Sequence, residues 1–305
     1  MGARIEAVVT TRSGEGLFAK RALRLADDAA KACLQRAGRG AHELDLLINA
    51  GIYRDENLGE PALAALIQED IGANPSHPAG ARHGTFSFDV ANGGCGVLTG
   101  VQIIDGFLRS GSVRLGMVVA SDARPERAMR RGFPFPRVGG ALLLGPGDEE
   151  NGFTHFHFET FPEFEDLFES RVSWRQGRLR WLPGARSGRN FLAVEEKQGY
   201  RTRCVDCAEE AASRFLRRVD LKVADVDLLV ASRTPIGFAD ELAGRLVIPT
   251  HAVAEVGEEL EGAHTAGPLV ALEAAMRSGQ FQEAKRVLFA AVGAGIVVGL
   301  ALYQK

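Results

Sequence analysis

Cys95 is the residue whose chemistry and setting together suggest a reaction centre. It stands in the segment FSFDVANGGCGVLTG, after two glycines and before a third, at the predicted start of a helix. The first turn of a helix leaves backbone N–H groups unpaired and carries a partial positive charge, which lowers the pKa of a cysteine. A cysteine there is either an activated nucleophile or a small hydrophobic residue that the helix buries. The sequence leaves both alternatives open.

His264 lies in a second glycine-containing loop, EGAHTAG, which also precedes a predicted long helix. A neutral imidazole accepts a proton near neutral pH, so His264 is a candidate general base. The two loops are related by a repeat, because the Arg-Ser-Gly turns at 109–111 and 277–279 differ by 168 positions. The same offset aligns Gly96 with His264. If the two halves pack about a pseudo-twofold axis, the two loops meet and form one site.

A second repeat indicates that a larger unit is duplicated. Residues 34–48 (LQRAGRGAHELDLLI) and 216–230 (LRRVDLKVADVDLLV) align without a gap at an offset of 182 positions. Each half therefore follows one predicted order: helix, turn, buried strand, loop, long helix, Arg-Ser-Gly turn and second buried strand. The strands DLLINA, GMVVAS, DLLVAS and RVLFAAV are continuous apolar runs, as expected of strands covered by helices on both faces. The sequence predicts a duplicated α/β fold.

The order of these segments resembles the β-ketoacyl-acyl-carrier-protein synthase III family of the thiolase superfamily. The resemblance covers most of the chain and rests on FDVANGGCGVLTGVQIIDGFLRSGSVRLGMVVASD, RVGGALLLG, THFHF, VDLLVASRTP, EGAHTAGPLVALEAAMRSG and VLFAAVGAGIVVGLAL. It implies a thiolase-like duplicated five-layer αβαβα fold with halves at 1–150 and 151–305. It also implies a dimer that handles acyl-CoA and an acyl carrier protein in fatty acid or polyketide biosynthesis, without a bound cofactor. Family members condense an acyl-CoA starter with malonyl-ACP through Cys, His and Asn.

The catalytic residue types of that family do not align with the same types here. Counting from Phe88 places Gly94 at the family's nucleophile position and Cys95 one position later, which is about 100° of rotation on a helix. Ser232 stands at the position of the family's histidine, and His264 at that of its asparagine. The candidate catalytic set is therefore Cys95, Ser232 and His264. Since the donor that would stabilise a malonyl-derived enolate is missing, we do not expect standard decarboxylative condensation.

Two hypotheses from different classes follow. In the first, the chain is an acyltransferase or thioesterase in which Cys95 takes the acyl group and His264 is the base. Backbone amides near Gly94, Gly293 and Gly295 then stabilise the oxyanion. In the second, the chain is a non-catalytic subunit that pairs with an intact synthase III homologue and shapes its tunnel. The sequence leaves open whether the dimer contains two identical chains or two homologues.

Four arginines are candidates for binding the phosphates of coenzyme A or phosphopantetheine, or an acidic carrier protein. Arg124, Arg130 and Arg131 lie in the segment DARPERAMRRGF, and Arg233 follows a predicted strand. A solvated surface segment is the alternative interpretation. The basic segment WRQGRLRWLPGARSGRN, at 174–190, is predicted to cap the substrate tunnel.

The remaining features argue against other classes of protein. A net charge of −3 gives no reason to expect nucleic acid or a membrane as a partner. Four cysteines and the lack of a signal-like apolar segment predict a cytoplasmic protein without a disulfide framework. The apolar run VLFAAVGAGIVVGLALY is predicted to form two strands around a turn. Cys204 and Cys207 with the histidines of THFHF imitate a zinc site, but a single C-x-x-C favours a structural role, and no metal is predicted.

Overall fold

The computed structural model describes residues 2–14, 19–73, 84–125, 133–148, 151–176 and 188–305. Within those ranges, the strands are β1 Ala3–Arg12, β2 Leu46–Asn49, β3 Phe86–Asp89, β4 Gly116–Asp122, β5 Val138–Pro146, β6 Gly152–Thr160, β7 Phe168–Gln176, β8 Gly188–Glu196, β9 Leu228–Ala231, β10 Arg286–Gly293 and β11 Val297–Gln304. The helices are α1 Ala22–Ala37, α2 Leu63–Ile71, α3 Gly96–Arg109, α4 Tyr200–Arg218, α5 Phe238–Leu246, α6 Gly267–Ser278 and α7 Gln280–Glu283.

Two sheets and three helical layers stack into the five-layer αβαβα arrangement that the sequence predicts. One sheet has the order β1-β5-β4-β2-β3, and the other has the order β6-β11-β10-β9. Helices α3 and α6 contribute to one apolar core that also contains residues of both sheets. Helices α1 and α2 pack on the outer face of the first sheet. Helices α4 and α5 pack on the outer face of the second.

The strand orders of the two sheets show the duplication directly. Strands β1, β5, β4 and β2 occupy the same places in the first sheet as β6, β11, β10 and β9 in the second. The pairing directions also agree, since β2–β4 and β9–β10 are parallel whereas β4–β5 and β10–β11 are antiparallel. An isolated parallel bridge between Leu229 and Val253 lies where β3 pairs with β2 in the first half. The predicted boundary near residue 150 falls between β5 and β6.

Small residues let the central helix α3 lie close to the first sheet. A side chain at Gly100 would lie 3.1 Å from the methyl groups of Val118 in β4, and one at Gly96 would lie 3.0 Å from the carbonyl oxygen of Ala50. Larger residues at these positions would push the helix away from the sheet. The close approach places the start of α3 beside the carboxyl ends of β2 and β4, where α/β proteins build their binding sites.

A hairpin of β7 and β8 extends from the second half. The ladder runs from Phe168 opposite Glu196 to Gln176 opposite Gly188. The tip of the predicted cap, 177–187, lies outside the described residues. The predicted pair of strands in the C-terminal apolar run is confirmed, since β10 and β11 are antiparallel neighbours. Among the described residues, no helix combines the length and the hydrophobicity that a membrane span requires.

Candidate functional site

A cavity of about 510 Å³ opens at the carboxyl ends of the central strands. Segments from both halves line it, so the NGGCG and EGAHTAG loops meet there through Gly93 and His264. One part of its wall is apolar and is formed by Ile52, Leu58, Phe168, Val172 and Leu192. The polar side chains on the wall are Tyr53, Arg54, Asn57, Ser170 and His264. The combination suits a ligand with an apolar chain and a few hydrogen-bonding atoms.

His264 is the one residue of the predicted catalytic set that lines the cavity. Its Nδ1 lies 2.8 Å from the hydroxyl oxygen of Tyr53, and its ring stacks on Phe135 with 4.6 Å between centroids. Burial lowers the pKa of His264 to about 4, because the charged imidazolium loses its hydration. The imidazole is therefore neutral near pH 7, and it is a weaker base than the ordinary histidine that the sequence suggests.

Asp122, the last residue of β4, fixes the position of the His264 loop. Its carboxylate accepts hydrogen bonds from the backbone N–H groups of His264, Thr265 and Ala266, at 2.8, 3.0 and 3.2 Å. The hydroxyl of Thr265 donates a further bond at 2.6 Å. Burial raises the pKa of Asp122, and these hydrogen bonds oppose that rise. A carboxylate of the first half thus holds the loop that precedes helix α6 of the second half, which sequence reasoning missed.

Cys95 lies directly before α3, as predicted, but its side chain does not line the cavity. The residue is fully buried in the core between the sheets. Its Sγ lies 3.4 Å from the carbonyl oxygens of both Ala291 and Val297. Burial raises the pKa of the Cys95 thiol to about 12, opposite to the direction expected of a nucleophile at a helix start. The geometry favours the second alternative, a small buried residue.

The predicted nucleophile position and its neighbours are packed against the end of β10. A side chain at Gly94 would place its Cβ 2.2 Å from the carbonyl oxygen of Val292 and 3.9 Å from Oγ of Ser232. Ser232 is buried, and its Oγ accepts a hydrogen bond from the Val292 N–H at 3.2 Å. Gly293 lies against the backbone at Gly94, and Gly295 follows in the turn to β11 with a φ of 115°. Gly94, Ser232 and Gly293 therefore pack closely against one another, and none of the three lines the cavity.

The structure describes two of the four predicted phosphate-binding arginines, Arg124 and Arg233. Arg233 is only 5% exposed, does not line the cavity and forms an ion pair with Glu261. Arg124 is half-buried beside Pro125, which lines the cavity. Arg130 and Arg131 lie outside the described residues.

Sequence reasoning also missed Tyr53 and Arg54. Arg54 lines the cavity, and its guanidinium lies 2.7 Å from the carboxylate of Asp89. Both residues belong to the segment YRDEN, which follows the buried strand β2. The sequence did contain a signal for these two residues, since they are polar and come shortly after a buried parallel strand. That end of a sheet carries the binding sites in α/β proteins.

The residues that imitate a zinc site make other contacts. Cys204 and Cys207 are buried in α4. His157 forms a hydrogen bond with Glu159 at 3.2 Å, and its ring stacks on Phe215. In the described part of the chain, no group of three or more His, Cys, Asp or Glu residues could hold a metal ion.

Comparison with known proteins agrees with this architecture. Residues 216–305 match the family model of the C-terminal part of 3-oxoacyl-[acyl-carrier-protein] synthase III. The chain is 28% identical to β-ketoacyl-[acyl-carrier-protein] synthase III of Acidiphilium cryptum over 287 residues, which cover 91% of this chain and 82% of the relative. It is 23% identical to the synthase III of Aquifex aeolicus over 300 residues, covering 97% and 89%.

Solved structures resemble the whole chain. The synthase III structure from Aquifex aeolicus VF5 superposes with a TM-score of 0.78 at 19% identity, covering all of both chains. OleA from Xanthomonas campestris, with bound lauric acid and lauroyl-CoA, gives a TM-score of 0.79 at 15% identity, covering 100% of this chain and 99% of OleA. The chain therefore has the thiolase-like fold of these structures, as the sequence predicts. Its sequence is similar to β-ketoacyl-[acyl-carrier-protein] synthase III along most of its length.

Proposed function

We propose that this chain binds an acyl thioester, carried on CoA or on an acyl carrier protein, beside His264 without transferring the acyl group to Cys95. The observation that carries the proposal is the position of Cys95, whose thiol is buried between carbonyl groups and does not line the cavity. A covalent acyl-enzyme requires the nucleophile to approach the thioester carbonyl to roughly 3 to 3.5 Å. The packing around Sγ leaves no space for a thioester at that distance.

The cavity has features that suit an acyl thioester. Its volume of about 510 Å³ falls within the range of about 300 to 1,000 Å³ that is typical of small-molecule sites. The apolar side chains of Leu58, Val172 and Leu192 offer a wall for an acyl chain, while Tyr53 and His264 offer polar atoms. OleA, which shares the fold, has been solved with lauroyl-CoA bound. That complex supports lauroyl-CoA as the first ligand to test.

We also propose that the chain works as the partner of an intact synthase III-type chain. Among the described strands, β3 forms an edge of the five-stranded sheet. Phe86 on that strand is 57% exposed and lies 5.1 Å from the ring of Phe88. An edge strand with an exposed aromatic side chain, as β3 is among the described residues, is suited to pairing with another strand. A partner that supplies the nucleophile would account for a fold that is retained while Cys95 is buried.

Binding and acyl transfer are separated by measuring both on one sample. We expect isothermal titration calorimetry with lauroyl-CoA to show saturable binding, and intact mass spectrometry to show no added lauroyl group. A Cys95→Ala variant should bind as tightly as the wild type, and so should the matched control Cys33→Ala, which removes a buried thiol on α1. A lauroyl adduct mapped to Cys95 would overturn the proposal, and so would the absence of binding.

The partner proposal is tested by co-expression with a synthase III homologue that has an intact Cys-His-Asn site. Size-exclusion chromatography with light scattering should show a heterodimer, and Phe86→Asp should dissociate it. The matched control is Val247→Asp, which changes an exposed apolar residue at the end of α5, outside both sheets. Exclusive homodimers or monomers would contradict the proposal, as would condensation of acyl-CoA with malonyl-ACP by this chain alone.

A further inference from the structure

Two hydroxyl groups and an imidazole come together on the wall of the cavity. The hydroxyl of Tyr53 lies 2.8 Å from Nδ1 of His264, and Ser170 is near enough to oppose in part the rise that burial causes in the pKa of Tyr53. All three residues line the cavity, although they come from the loop after β2, from β7 and from the loop before α6. Tyr53 is only 2% exposed, so its hydroxyl depends on His264 as its hydrogen-bond partner.

The positions of the protons on Ser170, Tyr53 and His264 decide whether a ligand meets a hydrogen-bond donor or an acceptor. Ser170 and Tyr53 each have one hydroxyl proton. When Ser170 donates to the Tyr53 oxygen, the Tyr53 proton is available for Nδ1 of His264. A ring nitrogen that accepts a hydrogen bond is unprotonated, so a neutral imidazole then carries its proton on Nε2. In the described part of the structure, Nε2 has no hydrogen-bond partner.

We propose that Tyr53 is a positioning residue that holds the His264 proton on Nε2, so that His264 donates a hydrogen bond to the carbonyl oxygen of a bound thioester instead of accepting a proton. The ring is held in place from two directions, by its stacking on Phe135 and by the Asp122 carboxylate at its backbone. Donors held in place in this way stabilise a carbonyl oxygen without reorganisation. The proposal deepens the proposed function and rests on it, because it requires an acyl thioester in this cavity.

Two matched ligands test whether His264 donates to the carbonyl oxygen of the thioester. Lauroyl-CoA has a thioester carbonyl, whereas the thioether S-dodecyl-CoA has the same chain length and no carbonyl. We expect the wild type to bind the thioester roughly 3- to 10-fold more tightly, which is the effect of one hydrogen bond between neutral groups. Tyr53→Phe should reduce this ratio to near one with little effect on the thioether. The matched control Tyr303→Phe removes a buried hydroxyl that bonds to Asn151, away from the cavity, and should keep the ratio.

A spectroscopic measurement tests the tautomer independently of binding. In ¹⁵N NMR spectra of the wild type, His264 should show a protonated Nε2 and an unprotonated Nδ1. The ligand preference should stay constant from pH 5 to 8, because a buried neutral donor does not titrate there. If Tyr53→Phe fails to fold, the wild-type spectrum and the Ser170→Ala variant test the proposal instead. Ser170→Ala removes only the hydroxyl farthest from His264, and it should lower the population of the Nε2-protonated tautomer.

The possible failures are distinguishable. Equal affinity of the wild type for the two ligands would overturn the role of His264 as a donor and leave the proposed function standing. A protonated Nδ1 in the wild type would overturn the role of Tyr53. Absence of binding for both ligands would overturn the proposed function, and this proposal with it.

Discussion

The burial of Cys95 predicts how slowly its thiol reacts in the folded protein. Only the thiolate is nucleophilic, and burial raises the pKa of Cys95 to about 12. At pH 8, this leaves about one thiol in ten thousand ionised, whereas a free cysteine with a pKa of about 8.5 is about one-quarter ionised. The difference corresponds to a roughly 2,000-fold lower rate of alkylation, and exclusion of the reagent from the core lowers the rate further.

The assay is a time course of alkylation by iodoacetamide at several pH values, followed by peptide mass spectrometry of Cys95. The same time course in denaturant measures the unhindered rate, and the buried Cys33 provides an internal comparison in the folded protein. We expect Cys95 to react at least about 1,000-fold more slowly in the folded protein, given the pKa of free cysteine. A folded-state rate within tenfold of the denatured rate would refute the reasoning and restore Cys95 as a candidate nucleophile.

Three further predictions concern stability, measured as the free energy of unfolding in urea. Asp122→Asn should lower it by about 3 kcal/mol, because the amide keeps only one accepting oxygen and turns an NH2 donor toward N–H groups from which the carboxylate accepts; an unchanged value would contradict the role of Asp122 in holding the loop before α6. Burial, with a smaller contribution from Asp70, raises the pKa of Asp27 to about 7. Since the unfolded pKa is near 4, stability from Asp27 is present below pH 4 and is lost as the pH rises through 7, by up to about 4 kcal/mol. Asp27→Asn should flatten this dependence, and a slope that persists would exclude Asp27 as its cause. Gly94→Ala should lower the free energy of unfolding by roughly 1 to 3 kcal/mol, because the added methyl group meets the Val292 carbonyl. The control Gly106→Ala, at an exposed position of α3, should be neutral or stabilising. Equal effects of the two substitutions would contradict the packing argument.

The sequence predicted the fold because its strongest signals are local and repeated. The buried strands are continuous apolar runs, and β2 and β9 align at one offset without a gap. A second offset, of 168 positions between the two Arg-Ser-Gly turns, predicted that the loops before α3 and α6 meet, as Gly93 and His264 do at the cavity. Such patterns survive in a sequence because the core of each half requires them.

The direction of individual side chains was not predictable in the same way. The sequence placed Cys95 at the start of α3, but the packing of α3 against β10 and β11 decides that its Sγ points into the core. Tyr53 lies 211 positions from its partner His264, and no local motif relates the two residues. These contacts depend on how two halves of the chain pack together, which composition and periodicity do not encode.

The last positions of β4 and β10 show that the two halves of the duplicated unit have become unequal. The pairing registers make Asp122 in β4 the counterpart of Gly293 in β10, because Leu46 pairs with Gly116 and its repeat Leu228 pairs with Val287. Asp122 gives a carboxylate to the loop before α6, whereas Gly293 has no side chain, so the NGGCG loop packs against it backbone to backbone. A tandem chain made of two first halves would lack His264, and one made of two second halves would lack the carboxylate that orders its loop. Neither half can therefore replace the other, and the site requires one first half together with one second half.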